Sequence, residues 1–99
     1  MRIVAVTACP TGIAHTYMAA ERLEKAAKKL GHAISVETQG AMGIENALSD
    51  EDVKNADVVL FAAGIPVRSR ERFAGKRVVE VSVQEAIKNP EGILKGLGG

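Results

Sequence analysis

The chain has 99 residues, 46% of them apolar and 25% charged, with a net charge of +1. That length holds one domain, residues 1–99, with a real core but little margin; the near-neutral charge argues against a general nucleic-acid binder, which would carry a strong basic excess. A single cysteine excludes an internal disulfide and suits a reducing cytosol, and no apolar window is long enough for a signal peptide or a membrane span.

Taken in chain order, the pattern alternates strand, loop and helix. Ile3-Val4-Ala5-Val6 is a short apolar run, as in a strand buried on both faces. The turn-rich break Cys9-Pro10-Thr11-Gly12 follows, then a helix from about His15 to Leu30 whose Ala19, Leu23, Ala26, Ala27 and Leu30 recur at helical spacing. Gly31 stops it. Ala33 to Glu37 reads as a second strand, and Thr38 to Gly43 as a loop. Ser49-Asp50-Glu51-Asp52 has the oxygen-bearing cap and acidic first turn of a helix start, with the helix ending near Ala56. Val58 to Ala63 is a third strand, buried throughout; Gly64-Ile65-Pro66 breaks it. Arg77 to Val81 is a fourth strand, and Ser82 to Lys88 opens a last helix that Pro90 interrupts before a Gly-rich tail.

Strands separated by helical segments predict an α/β fold: an open four-stranded parallel sheet with helices on both faces. Such sheets bind ligands beyond the carboxyl ends of their strands. Two loops leave those ends, one at Cys9 and one at Gly64.

The Cys9 loop suits thiol chemistry on an anion. The amides of the loop and of the helix's first turn have no internal partner, so they can form an anion nest, and the helix dipole adds partial positive charge. Together these favour an anionic sulfur, and the same amides would hold a phosphoryl group that the sulfur had taken. Gly12 permits a backbone geometry that other residues resist, and Thr11 and Thr16 offer hydroxyls to phosphate oxygens. A lone cysteine is more often a small core hydrophobe; its place between a strand's end and a helix start reverses those odds. His15 has two readings, one orienting phosphate or acting on the sulfur, the other stabilising the loop by a backbone hydrogen bond, which suits a neutral imidazole. One Cys and two His, with His32 at the far end of the helix and expected to be exposed, cannot supply a tetrahedral zinc site. Tyr17, Met18 and Met42 are expected to be packing residues.

Three function classes compete. A cysteine opening a phosphate-cradling loop also describes protein tyrosine phosphatases, but they place an Arg six residues on, where this chain has His15, and the Gly64 loop offers no acid before Glu71. A carrier that accepts and hands on phosphate fits better than a hydrolase. A binding or regulatory module with an incidental thiol is the third class.

The segment from Ile3 to Thr16, with Cys9-Pro10-Thr11-Gly12-Ile13-Ala14-His15-Thr16 at its heart, closely resembles the phosphorylation-site segment of fructose-family IIB domains of the sugar phosphotransferase system. Val36-Glu37-Thr38-Gln39-Gly40, Gly43-Ile44-Glu45-Asn46 and Arg72-Phe73-Ala74-Gly75-Lys76 also resemble family segments, and the likeness runs from residue 2 to about residue 90. The resemblance implies that residues 1–99 are such a domain, that Cys9 is the phosphorylated residue, and that Pro10 to Thr16 form its phosphate-binding loop. It implies phosphate received from a histidine of a IIA domain and passed to fructose or a fructose-like sugar on the membrane component IIC. It implies no metal or organic cofactor, and a cytoplasmic protein held at the inner membrane only through IIC. The chain departs from the family pattern after the third strand, where Gly64 stands in place of the usual Asp and Arg68, Arg70 and Arg72 make the region basic. The readings of that stretch are a solvated loop, or an altered partner surface formed by Gly64, Arg68, Arg70 and Arg72.

Overall fold

A strand buried on both faces belongs in the middle of a sheet, and β1 (Arg2–Ala8) lies there, hydrogen-bonded in parallel to β2 (Ala33–Gly40) and to β4 (Val58–Ala63). The computed structural model describes residues 1–9, 13–40 and 43–97, with only the backbone of Ile13 and Ala14. Its one sheet has five strands in the order β3-β2-β1-β4-β5. β5 (Val78–Val81) pairs in parallel with β4, and the short β3 (Gly43–Glu45) pairs antiparallel with β2.

The expected four-stranded parallel sheet is therefore corrected to five strands with one antiparallel edge. The segment read as a loop from Thr38 continues β2 to Gly40, and the chain runs back along it from Gly43 as β3. Three residues carry too little periodicity to announce a strand.

Helix α1 (Ile13–Leu30) runs to Gly31, whose φ of +79° and the bonds His32 N–H to Ala27 O and Gly31 N–H to Lys28 O end it in a Schellman turn. α2 (Asp50–Asn55) starts in a capping box between Ser49 and Asp52, as its sequence predicted. α3 (Val83–Lys88) is capped by Ser82. The tail is not irregular: α4 (Pro90–Leu97) follows at once, with Gly92 N–H donating to Asn89 Oδ1 (3.2 Å). The helix after Ser82 does stop before Pro90, as read, but Asn89 then caps α4 and Pro90 takes a first-turn position, so a further helix stands where only a tail was expected.

The sheet separates two cores. On one face α1, α3 and α4 cover Ile3, Ala5, Val58 and Leu60; on the other, α2 and a 3₁₀ turn (Arg70–Phe73) cover Val4, Val6, Val59 and Phe61. Leu94 and Leu97 of α4 are buried in the first. Leu94→Ala is expected to lose about 2–5 kcal/mol of stability in urea unfolding, because the methyls it removes leave a cavity under α1; a loss under about 0.5 kcal/mol, the scale of an ordinary surface change, would show that α4 is not docked in solution.

Thr38 stands beside Thr7 in the β1–β2 register, 3% exposed, and its hydroxyl has no hydrogen-bond partner among the described residues. Thr38→Val keeps the shape and removes the unsatisfied group, so it should raise stability by about 1 kcal/mol, read from the urea midpoint.

Candidate functional site

Cys9 follows the last residue of the central strand and is 7% exposed, packed among the residues under α1. Helix α1 opens four residues later, with no acidic residue in its first turn to offset its positive end. Pro10, Thr11 and Gly12 lie outside the described residues, and Ile13 and Ala14 supply the first backbone positions of α1. The structure brings His15 to the sulfur: its side chain is exposed, and Nδ1 lies 3.9 Å from Cys9 Sγ. The ring can donate to or accept from the sulfur according to its tautomer. Thr16, by contrast, is buried; its carbonyl accepts from Thr7 Oγ1 (3.2 Å), and its side chain packs against Gly40 at the end of β2.

Opposite α1, the segment after β4 is tied down by a polar network. Gly64 N–H donates to Ala8 O at 2.8 Å, beside Cys9. Arg68 N–H donates to Gln39 Oε1 (2.7 Å), and Gln39 Nε2 donates to Arg68 O (3.1 Å) and to Glu37 Oε2 (2.7 Å). Glu37, with no solvent exposure, also accepts Leu48 N–H on Oε1 (2.9 Å) and a two-pronged grip from Arg72, at 2.8 Å on Oε1 and 2.9 Å on Oε2. Both oxygens of a buried carboxylate are thus fully engaged. Burial alone would push the Glu37 carboxyl up, but the bonds from Arg72, Gln39 and the Leu48 amide, with the Arg72 charge, together outweigh it and hold the group below the ordinary carboxylate range. Arg72 is correspondingly pushed up by its bonds to Glu37 against the cost of its own burial.

The basic residues after β4 take different roles. Arg72 keeps only 22% of its side chain exposed, lies over the Phe73 ring (4.8 Å) and also bonds Ser69 O through Nε (2.9 Å). It is a structural cation more than a surface one. Arg70 reaches Glu80 (2.6 Å) and the Phe61 ring (5.2 Å) with 57% of its side chain exposed. Arg68 contributes its backbone to Gln39. Gly64, Pro66 and Arg70, with Phe61, Ala63 and Glu80, line a cavity of about 290 Å³ past the ends of β4 and β5.

Other expectations need correction. Tyr17 and Met18 are not packing residues: they are 39% and 41% exposed, and Tyr17 donates its hydroxyl hydrogen bond to Glu45 of β3. That bond holds the Tyr17 hydroxyl above its ordinary range, since losing the proton would set an anion against the carboxylate. Met42 lies outside the described residues. His32 is half-buried instead of exposed. Sequence reasoning gave no role to Glu37 and Gln39, though a Glu and a Gln two apart at the end of an apolar strand are the available signal: same-face polar residues in a buried place need partners. Among the described residues no helix is long and apolar enough to cross a membrane.

Comparison with known proteins bears on this geometry directly. The family described as "PTS system, Lactose/Cellobiose specific IIB subunit" (PTS, phosphotransferase system) matches residues 4–96. The "PTS system fructose-like EIIB component 2" of Escherichia coli K12 is 53% identical over 94% of this chain and 88% of its own length. The "Fructose-like PTS system EIIBC component" of the same organism is 52% identical over 98% of this chain, which spans 20% of that longer protein. The crystal structure of a domain from the fructose-specific IIABC component of Borrelia burgdorferi is 56% identical, covers 96% of this chain and 90% of its own, and superposes with a TM-score of 0.91. The chain belongs to the IIB family of the sugar phosphotransferase system.

Proposed function

We propose that this chain is a phosphoryl carrier that takes phosphate from a phosphohistidine of a IIA protein or domain onto Cys9 and passes it to fructose, or a fructose-like sugar, bound by the membrane component IIC. The observation that carries the reading is the place of Cys9: the chain's one cysteine, at the carboxyl end of the central strand, opening onto the amino end of an 18-residue helix. A transferring phosphoryl group needs positioning and donors for its equatorial oxygens more than covalent chemistry from the protein. The backbone N–H groups of residues 11–14, at the approach to and start of α1, would supply those donors.

In the first step Cys9 Sγ attacks the phosphorus in line. The S–P bond forms as the P–N bond breaks, its electron pair returns to the donor imidazole, and the proton that the thiol gives up ends on that imidazole. In the second step a sugar hydroxyl oxygen attacks the same phosphorus. The O–P bond forms, the S–P bond breaks with its electrons returning to sulfur, and the hydroxyl proton leaves to a base on the IIC side or to water. His15, 3.9 Å from the sulfur, is placed to donate to sulfur or phosphate during the exchange. No metal or organic cofactor is needed by either step. Residues 1–99 act as one fructose-type IIB domain on the cytoplasmic face, peripheral to the membrane through IIC, and the exposed parts of the Gly64–Arg72 stretch form the partner-facing surface.

Washed membranes containing a fructose-type IIC, with phosphoenolpyruvate, enzyme I, HPr and IIA, test the reading. Formation of fructose phosphate that depends on added chain supports it. Transfer to cellobiose or mannose but not fructose would contradict the sugar assignment, and hydrolysis of a phosphate ester by the chain alone would contradict the carrier role.

A further inference from the structure

We propose that Gln39 is a positioning residue for phosphoryl transfer: it holds the segment 64–69 as a fixed wall at the end of the strand that delivers Cys9, on the sheet face opposite α1, against which the phosphorylated IIA partner docks. The inference rests on the carrier reading above and extends it to a residue that touches neither the sulfur nor phosphate.

The register makes the geometry specific. Ala8, the residue before Cys9, pairs with Gln39 on one side and Ala63 on the other. The chain leaves that row at Gly64, whose N–H bonds Ala8 O, and comes back to it at Arg68, whose backbone bonds Gln39. Residues 64–68 therefore arch over the end of β1, on the face opposite α1. The arch has two feet, one on the strand that delivers Cys9 and one on its neighbour.

The second foot depends on a single side chain. Gln39 is 3% exposed, and its amide engages both backbone groups of Arg68, at 2.7 and 3.1 Å, as a neighbouring strand would. Its orientation is dictated from both ends. The oxygen must face the Arg68 N–H, and the nitrogen must face a carbonyl and, at 2.7 Å, the Glu37 carboxylate. Glu37 is in turn locked by Arg72 and Leu48 N–H. The side chain that receives the arch is itself immobilised before any partner arrives. A wall fixed in advance removes the ordering cost that a loose loop would add to each encounter.

Gln39→Met keeps length and apolar bulk and removes every one of these bonds. The expected result is a rise of about tenfold in KM for phosphorylated IIA with kcat within about twofold, since the partner must then order the arch as it docks while the chemistry at sulfur is untouched. A purely structural role would lower the unfolding midpoint and leave KM in place, and an unchanged KM overturns the proposal. Should Gln39→Met fail to fold, the wild-type chain gives the answer by titration with unphosphorylated IIA. Amide resonances of Gly64, Ile65 and residues 67–69 that shift on binding support the proposal, with slow exchange of the Arg68 amide before binding; resonances that stay put, or an Arg68 amide that exchanges as fast as an open loop, overturn it. A wild-type chain that accepts no phosphate overturns the carrier reading and this one with it, whereas normal wild-type transfer matched by Gln39→Met overturns this one alone.

Discussion

Cys9→Ser should end phosphate acceptance, lowering transfer from phosphorylated IIA by about 10³-fold or more, the scale seen when a reacting nucleophile is removed. The substitution exchanges one atom in a nearly closed position, 7% exposed, so the packing under α1 should hardly change. What changes is chemistry: a serine hydroxyl is a far weaker nucleophile than a cysteine sulfur near neutral pH. Intact mass after incubation with phosphoenolpyruvate, enzyme I, HPr and IIA should show one added phosphate on the wild type and none on the variant. A variant that still bound IIA while accepting nothing would place the defect in the step at sulfur. A variant that still acquired phosphate would move the acceptor elsewhere, with His15 the first place to look.

Arg72→Ala should have a large effect on stability. It strips a two-pronged partner from Glu37, whose side chain has no contact with water, and leaves a buried carboxylate with two of its four donors gone. Breaking a buried ion pair from one side costs about 3–5 kcal/mol, and the lower end is expected because the Arg72 side chain keeps 22% exposure. The pH dependence carries a definite sign. In the wild type the Glu37 carboxyl is held below its ordinary value, so its contribution is fully present above the unfolded-state value of about 4.3, and it is lost as pH falls from there through the folded value. Without Arg72, burial dominates and disfavours the charged form, a penalty that acid relieves. The difference in unfolding free energy between wild type and variant should therefore shrink from pH 7 toward pH 4. A difference that stayed constant across that range would show that Glu37 does not titrate differently in the two proteins.

The two cores were legible because burial leaves a plain mark on sequence. Val58 to Ala63 appears with the bounds predicted for it, since a strand covered on both faces is a continuous apolar run. Ser49 and Asp52 announced α2 through a local rule that needs no tertiary information. The missed elements depend on contacts across the fold. β3 is held by three pairs to β2, and no periodicity is visible in so short a run. α4 contains Gly92 and Gly96, poor helix formers, and is secured by burying Leu94 and Leu97 and by Arg77 bonding Leu97 O (3.0 Å). The same distinction holds at the candidate site. Cys9 could be found from its place between strand and helix, while the pairing of Glu37 with Arg72 spans 35 residues and becomes visible only when the sheet sets β2 and β4 on either side of β1 and the 3₁₀ turn after β4 reaches back to β2. Arg68, Arg70 and Arg72 look alike in sequence, yet one gives its backbone to Gln39, one its side chain to exposed Glu80, and one its guanidinium to buried Glu37.

The most direct measurement is the ³¹P spectrum of the phosphorylated wild-type chain, with the modified peptide then mapped by mass. A single resonance characteristic of phosphorus bound to sulfur is expected, mapped to Cys9 and discharged when IIC and fructose are supplied. A phosphorus–nitrogen resonance mapped to His15, or a phosphorylated chain that fructose and IIC fail to discharge, would contradict it.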